Sequence, residues 1–364
     1  MKSIKELKII ELASVLAGPL VGTFFAEAGA RVIKFEKPGN GDITRSWKNE
    51  GDRQNSRVSS YFASANYGKE IRSLDLGNEE DIASLYAELE DADIILSNFK
   101  HGDDKKFHLE KQKIAEKFPH LIQGRISGFS EESDRTAFDI VLQAETGYIH
   151  LCGTPTQHAK LPVAMIDELA AHQLKEGLLI ALMERMLTGK GSVVEVSLYD
   201  AALSGLTNQA SSWLMNQVEP EAMGMLHPSI CPYGEYLLTS DQKKIVLAIG
   251  NDKQFAHLCE ILHMEEASHD PRFIDNASRV RNRVALQDLF NEHSIHFNRD
   301  MLFQKLIEQR IPAGRILTLK EVFEDPNSWK CILEEEIEQV PTRRVSGNVF
   351  RIQEIPGQKS ELPV

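Results

Sequence analysis

Two aspartates stand where a carboxylate is costly. Asp139 lies inside the apolar run "FDIVLQAETG", and Asp167 lies in "LPVAMIDELAAHQLKEGLLIALMERM", where an extended apolar segment gives way to a helical pattern. A buried acid destabilises a fold unless it is paired or hydrogen-bonded, so Asp139 either bonds backbone or serves a site. Asp167 has two candidate jobs. As an N-cap it would accept the free amides of the helix start. As a chemical group it would be kept ionised by the positive end of the same helix. Cations lie nearby in sequence. Lys37 closes the strand-like "RVIKFE", and "NFKHGDDKKF" (98–107) mixes an amide, aromatics and lysines after another strand. Such a loop suits a base stacked on Phe99 and phosphates held by Lys105 or Lys106. His227 in "GMLHPS" is either a base or a turn residue. No histidine pair has metal-ligand spacing and no GxSxG elbow occurs, so neither a metal centre nor a serine hydrolase is expected.

The elements that must position these groups alternate. "KIIELA" reads as a strand and "PLVGTFFAEAG" as a helix opened by Pro19 and closed at Gly29. "RVIKFE", "IRSLDL", "DIILSNF" and "LIQGRISGF" read as strands, and "NEEDIASLYAELEDA" as a helix. Alternation of this kind implies a parallel α/β sheet. After Asp167, Leu169, Ala170, Leu174, Leu178, Ala181, Leu182 and Met186 recur at helical spacing and predict one buried face, ended by Gly189 or Gly191. "SVVEVSLYDAAL" follows as strand then helix. From about Leu226 to Val322 the pattern changes to a hairpin turning at 240–243, followed by charged helices near 252–262 and 283–292.

The first turn, "ASVLAGP", lacks GxGxxG, although Glu36 ends the second strand about where a ribose-binding acid would lie. A turn this poor in glycine offers few amides to a pyrophosphate, which argues against a nicotinamide enzyme. With 364 residues, 42% of them apolar, and a net charge of −13, the chain has material for more than one core and no basic face for nucleic acid. Four scattered cysteines without CxxC argue against a disulfide framework or a zinc site and for a reducing cytoplasm. Glu6 and Glu11 interrupt the apolar N-terminus, which argues against a signal peptide, and no apolar run is long enough to span a membrane.

A dozen stretches share one order: "VLAGP" (15–19), "GARVIKFEKPGNGDITR" (29–45), "ANYGKEIRSLDL" (65–76), "NFKHG" (98–102), "ISGF" (126–129), "FDIVLQAETG" (138–147), "AMIDELAA" (164–171), "TGKGSVVEVSLYDAAL" (188–203), "HPSICPYG" (227–234), "IGNDKQF" (249–255), "DPRFIDNASRVRNR" (270–283) and "IPAG" (311–314). In this register the chain resembles the class III CoA-transferase family, which includes formyl-CoA and carnitine CoA-transferases and the α-methylacyl-CoA racemases.

The resemblance implies an α/β fold with a Rossmann-like large domain (1–210), a smaller α+β domain (226–322) and a C-terminal segment (323–364) returning to the large domain. The ring-shaped chain would interlock with a second copy as a homodimer. It implies a substrate pair of acyl-CoA and a small carboxylic acid, no metal, and Asp167 as nucleophile. Coenzyme A contacts would fall on Val15, Leu16, Ala17, Lys37, Leu74, Asp75, Leu76, Gly77, Asn98, Phe99, Lys100 and Lys106, with Asp139 close to the nucleophile. Lys37 and Lys106 stand where arginine is common, which keeps the charge and loses the bidentate fork. His101 replaces a proline, "SEESDR" replaces a "GQDGPY" loop, and "MGMLHP" (223–228) stands where a glycine-rich shielding loop is usual. Phe138 stands where the racemases carry histidine. Racemisation needs two proton-transfer groups, and His150, His158 or His172 would substitute only by another geometry, so transfer is favoured. A CoA-binding protein without turnover is a third reading, against which the intact Asp167 argues.

Overall fold

Strand β1, Lys8–Glu11, is buried along its whole length, with Ile9 and Ile10 fully enclosed. It is the centre of a six-stranded sheet in a computed structural model that describes residues 2–130 and 132–353. The other strands are β2 (Arg31–Glu36), β3 (Lys69–Ser73), β4 (Ile94–Ser97), β5 (Ile122–Ser127) and β6 (Val193–Ser197). All neighbouring pairs are parallel, in the order β3-β2-β1-β4-β5-β6. This is the doubly wound order in which ligands bind beyond the carboxyl ends of the strands, where the winding reverses between β1 and β4.

Helix Ala17–Glu27 starts two residues before the expected Pro19. Pro19 falls in the first turn, where its missing N–H has no partner to lose. Helix Met165–Thr188 buries Ile166, Ala170, Ala171, Leu174, Leu178 and Ala181, and Gly189 ends it in the left-handed conformation at φ 70°. Met186, expected inside, is exposed, because the inward position of the last turn belongs to Arg185, whose Nη2 donates to Asp93 Oδ1 at 2.9 Å.

The chain divides into two compact units. The first comprises the chain up to Gly147, Leu161–Val218, and the chain from Trp329. The second comprises Tyr148–Lys160 and Glu219–Ser328. The second unit has an antiparallel sheet of β7 (Tyr233–Leu238), β8 (Lys244–Ala248) and β9 (Ala313–Arg315). Its core joins Leu237, Ile245 and Leu247 to Phe255, Phe290, Leu302 and Leu306 of three helices. Buried Arg279 ties it together, donating to the carbonyls of Cys231 and Phe273 and to Asp252. Within the first unit, the hairpin of β10 (Ile332–Ile337) and β11 (Val340–Val345) packs Ile337 and Val340 on Val58, Phe62 and Ala63. Arg344 of β11 pairs with the buried Glu27. Among the described residues no helix is long and apolar enough to cross a membrane.

Candidate active site

Two clefts open at the carboxyl ends of the strands in the first unit, and Ser14 lines both. The larger, about 810 Å³, is walled by the segments following β1, β4, β5 and β6. It gathers Val15, Leu16, Ala17, Asn98, Phe99, Lys100 and Asp167. The smaller, about 450 Å³, lies beyond β1, β2 and β3 and gathers Lys37, Leu74, Asp75, Leu76, Gly77 and Lys106. Every residue that the resemblance assigns to coenzyme A or to the nucleophile, except Asp139, therefore lines one cleft or the other.

Asp139 instead holds the segment that delivers Asp167. It opens helix Asp139–Glu145, and its Oδ1 accepts the Ile166 amide at 2.7 Å. Its Oδ2 accepts from Gln143 Nε2, and Gln143 Oε1 accepts the Leu161 amide at 2.9 Å. One helical turn thus fixes both ends of 161–166. The capping expectation for Asp167 is corrected by this arrangement. The N-cap position is Ala164, which has no side chain to cap with, and Asp167 lies three residues inside the helix. Asp139 supplies the capping oxygen from another helix. The Asp167 carboxyl, relieved of that task, accepts no hydrogen bond from the described residues and lines the cleft.

Its ionisation also differs from the expectation. Burial, then the charges of Asp139 and Glu168, push the Asp167 pKa from 3.8 up to about 7. The dipole of a helix start stabilises a carboxylate by only ~0.3–1 kcal/mol when exposed, too little to offset desolvation beside two like charges. Tyr61, which no sequence spacing singled out, belongs to the same neighbourhood. Burial and the charges of Asp167, Asp139 and Asp42 raise its phenol to about 12, so it stays a neutral donor. Trp47 packs edge-on against it at 5.0 Å.

The remaining candidates divide by surroundings. Lys37 and Lys106 are exposed cations on the smaller cleft. Phe99 packs against Phe107 at 5.6 Å. Asn98 is committed to backbone: its Oδ1 accepts Ser14 N–H at 3.0 Å and its Nδ2 donates to Ser14 O at 2.8 Å. Glu36 is paired with Arg45 at 2.7 Å and buried, so no ribose is needed to explain it. Phe138 lines the larger cleft, whereas His150, His158 and His172 do not. His227, in the second unit, takes the Ser229 amide on Nδ1 at 3.2 Å and packs edge-on against Tyr233, the behaviour of a turn residue. No cluster of metal-ligating side chains occurs among the described residues.

Beneath the clefts is a buried charge network that no spacing in the sequence announces. Glu11 lies between Lys34 and Lys69, at 3.0 and 2.8 Å. Lys34 also reaches Asp42 at 3.1 Å. Burial pulls Lys34 down, but Glu11 and Asp42 hold its pKa above the ordinary lysine value.

Comparison with known proteins decides the family. The model of CoA-transferase family III matches residues 4–363. The chain belongs to CoA-transferase family III. It is 32% identical over 328 residues to a succinate–glutarate CoA-transferase of Agrobacterium fabrum, covering 88% of this chain and 81% of that one. It is 30% identical to the succinyl-CoA:glutarate CoA-transferase of Mus musculus, covering 89% and 74%. A CaiB/BaiF family protein from Brucella suis superposes with a TM-score of 0.86 at 33% identity, covering 97% of this chain and 93% of that one. The α/β architecture with its six-stranded parallel sheet is thus that of a family III CoA-transferase, and the chain is an enzyme of that class.

Proposed function

We propose that the enzyme moves coenzyme A from an acyl-CoA to a small carboxylic acid through Asp167. The observation that carries the reading is a carboxyl that has no hydrogen-bond partner among the described residues, delivered into the larger cleft by a segment fixed at both ends. The ionised Asp167 attacks the donor thioester carbonyl, giving a mixed anhydride and CoA thiolate. The thiolate attacks the aspartyl carbonyl, releasing the donor acid and leaving an aspartyl–CoA thioester. The acceptor carboxylate then displaces the thiolate to form a second anhydride. Attack of the thiolate on the acceptor carbonyl completes the transfer and restores Asp167. Each step develops an oxyanion, and donors aimed at it are worth ~3 kcal/mol apiece. Ala17, whose amide opens helix Ala17–Glu27 without an intrahelical partner, lines the same cleft, and Tyr61, whose phenol feels the charge of Asp167, is a second candidate donor.

In this reading the smaller cleft takes the phosphate-bearing end of coenzyme A, with Lys37 and Lys106 as its cations and Leu74–Gly77 as its wall. The larger takes the thioester. The names of the relatives make succinyl-CoA the first donor and dicarboxylic acids the first acceptors. Exposed apolar side chains of the first unit, including Leu187, Leu214 and Met215, support a homodimer interlocked as in the family. Four cysteines without a disulfide support a cytoplasmic location.

Transfer is favoured over racemisation because Phe138, at the position where the racemases carry histidine, lines the larger cleft. The test is to incubate the protein in deuterated water with succinyl-CoA and a panel of acids, and separately with an α-methyl-branched acyl-CoA. New acyl-CoA with no α-deuterium upholds transfer. Deuterium in a branched acyl-CoA, with no transfer to any acid, overturns it.

A further inference from the structure

Val15 is a β-branched residue held at φ 73°, a region that side chains of its kind rarely adopt. The turn containing it is fixed by side chains from β2, from the loop that follows β2 and from the end of β4. Lys34 Nζ donates to the Ala13 carbonyl at 2.7 Å. Asn98 takes both polar groups of Ser14. The Asp42 carboxylate accepts the Val15 amide, at 3.2 Å to Oδ2 and 3.4 Å to Oδ1. The next residues pack equally closely: a Cβ on Gly18 would come within 2.4 Å of the Ala13 Cβ.

From this we infer that Asp42 is a positioning residue, which through Val15 holds the strained turn 13–17 as a preformed wall for the thioester end of acyl-CoA. The inference rests on the transferase reading of the larger cleft. Asp42 is itself buried and fully occupied. Its Oδ1 accepts Thr44 N–H at 3.0 Å and Thr44 Oγ1 at 2.8 Å, and its Oδ2 faces Lys34 at 3.1 Å. Every group around the carboxylate is a donor, so an amide in its place must turn N–H toward N–H whichever way it is flipped. A left-handed φ costs a β-branched residue free energy that an isolated turn does not repay. The same φ is open to glycine. Loss of the Asp42 acceptor should therefore release the turn when residue 15 is valine, and matter much less when it is glycine.

The test is a double-mutant cycle on the full-length protein with Asp42→Asn, Val15→Gly and the pair, read as KM and kcat for acyl-CoA and for acceptor acid, alongside thermal unfolding. Asp42→Glu is the companion variant, since it keeps the charge facing Lys34 and displaces the acceptor. The expected result is a rise of about tenfold in the acyl-CoA KM in Asp42→Asn and Asp42→Glu, the scale of a lost charged hydrogen bond. The acceptor KM should hold, and the rise should shrink to about threefold or less in the Val15→Gly background. An equal rise in both backgrounds, or unaltered kinetics in Asp42→Glu, overturns the inference while leaving the transferase reading intact. Absence of transfer by the wild-type protein overturns that reading instead.

Discussion

Replacing Asp167 by asparagine should stabilise the protein while abolishing turnover, and the gain should depend on pH. The carboxyl accepts no hydrogen bond from the described residues, so the amide loses no partner. What it removes is a buried charge. Moving the pKa from 3.8 to about 7 is a shift of roughly 3 units, and at ~1.36 kcal/mol per unit this bounds the penalty near 4 kcal/mol. The cleft admits water, and screening brings the expected difference to about 1–3 kcal/mol. The sign follows from linkage. Below the unfolded value of 3.8 both states carry the proton and Asp167 contributes nothing. As pH rises toward 7 the unfolded chain has released it and the folded state retains it, so wild-type stability falls. Above 7 the folded state also ionises and the full penalty persists. Thermal unfolding at pH 4, 6 and 8 reads this directly. Asp167→Asn should match wild type at pH 4 and exceed it at pH 8 by roughly 4–8 °C, for ~2 kcal/mol in a unit of this size. A difference independent of pH, or a wild type more stable than the variant at pH 8, would refute the reasoning.

Two further outcomes follow from the same geometry. In wild type, kcat/KM should rise with pH and level off near 7; Asp139→Asn should move that inflection to lower pH, because a named cause of the raised pKa is gone, and should cost about 1–3 kcal/mol of stability for the Ile166 and Gln143 bonds. An unmoved inflection in a pH–rate series would count against it. Lys37→Ala and Lys106→Ala should each raise the acyl-CoA KM about 2- to 5-fold, the range of exposed ion pairs, with the effect fading as salt is added; a change confined to the acceptor acid would place the phosphates elsewhere.

Much of the scaffold was legible in the sequence because its periods are strong. The alternation "KIIELA", "RVIKFE", "LIQGRIS" yields the parallel sheet, and the three- and four-residue spacing after Asp167 yields the buried face from Ala170 to Ala181. What was not legible depends on long-range encounters. β10 reads "ILEEEI", whose run of acids hides a strand. The start of helix Met165–Thr188 was misplaced because aspartate is a strong capping residue, whereas the cap comes from Asp139, 27 positions away. Burial, together with the charge of Asp139 that the same encounter brings near, raises the Asp167 pKa against the expectation. Glu11, Lys34 and Lys69 sit in strand-like segments without any pattern of their own, and only the sheet order brings them together. Tyr61, in "SSYFAS", carries no spacing signal at all.

The most direct measurement is the covalent state of Asp167 during turnover. The protein is incubated with succinyl-CoA, quenched with borohydride, digested and mapped by mass spectrometry. A thioester on the aspartyl carboxyl is reduced to the alcohol, and the nucleophile reading predicts that change at position 167 alone, dependent on acyl-CoA and absent from Asp167→Asn. Transfer that proceeds with no adduct at Asp167, or with an adduct on another carboxylate, would contradict it.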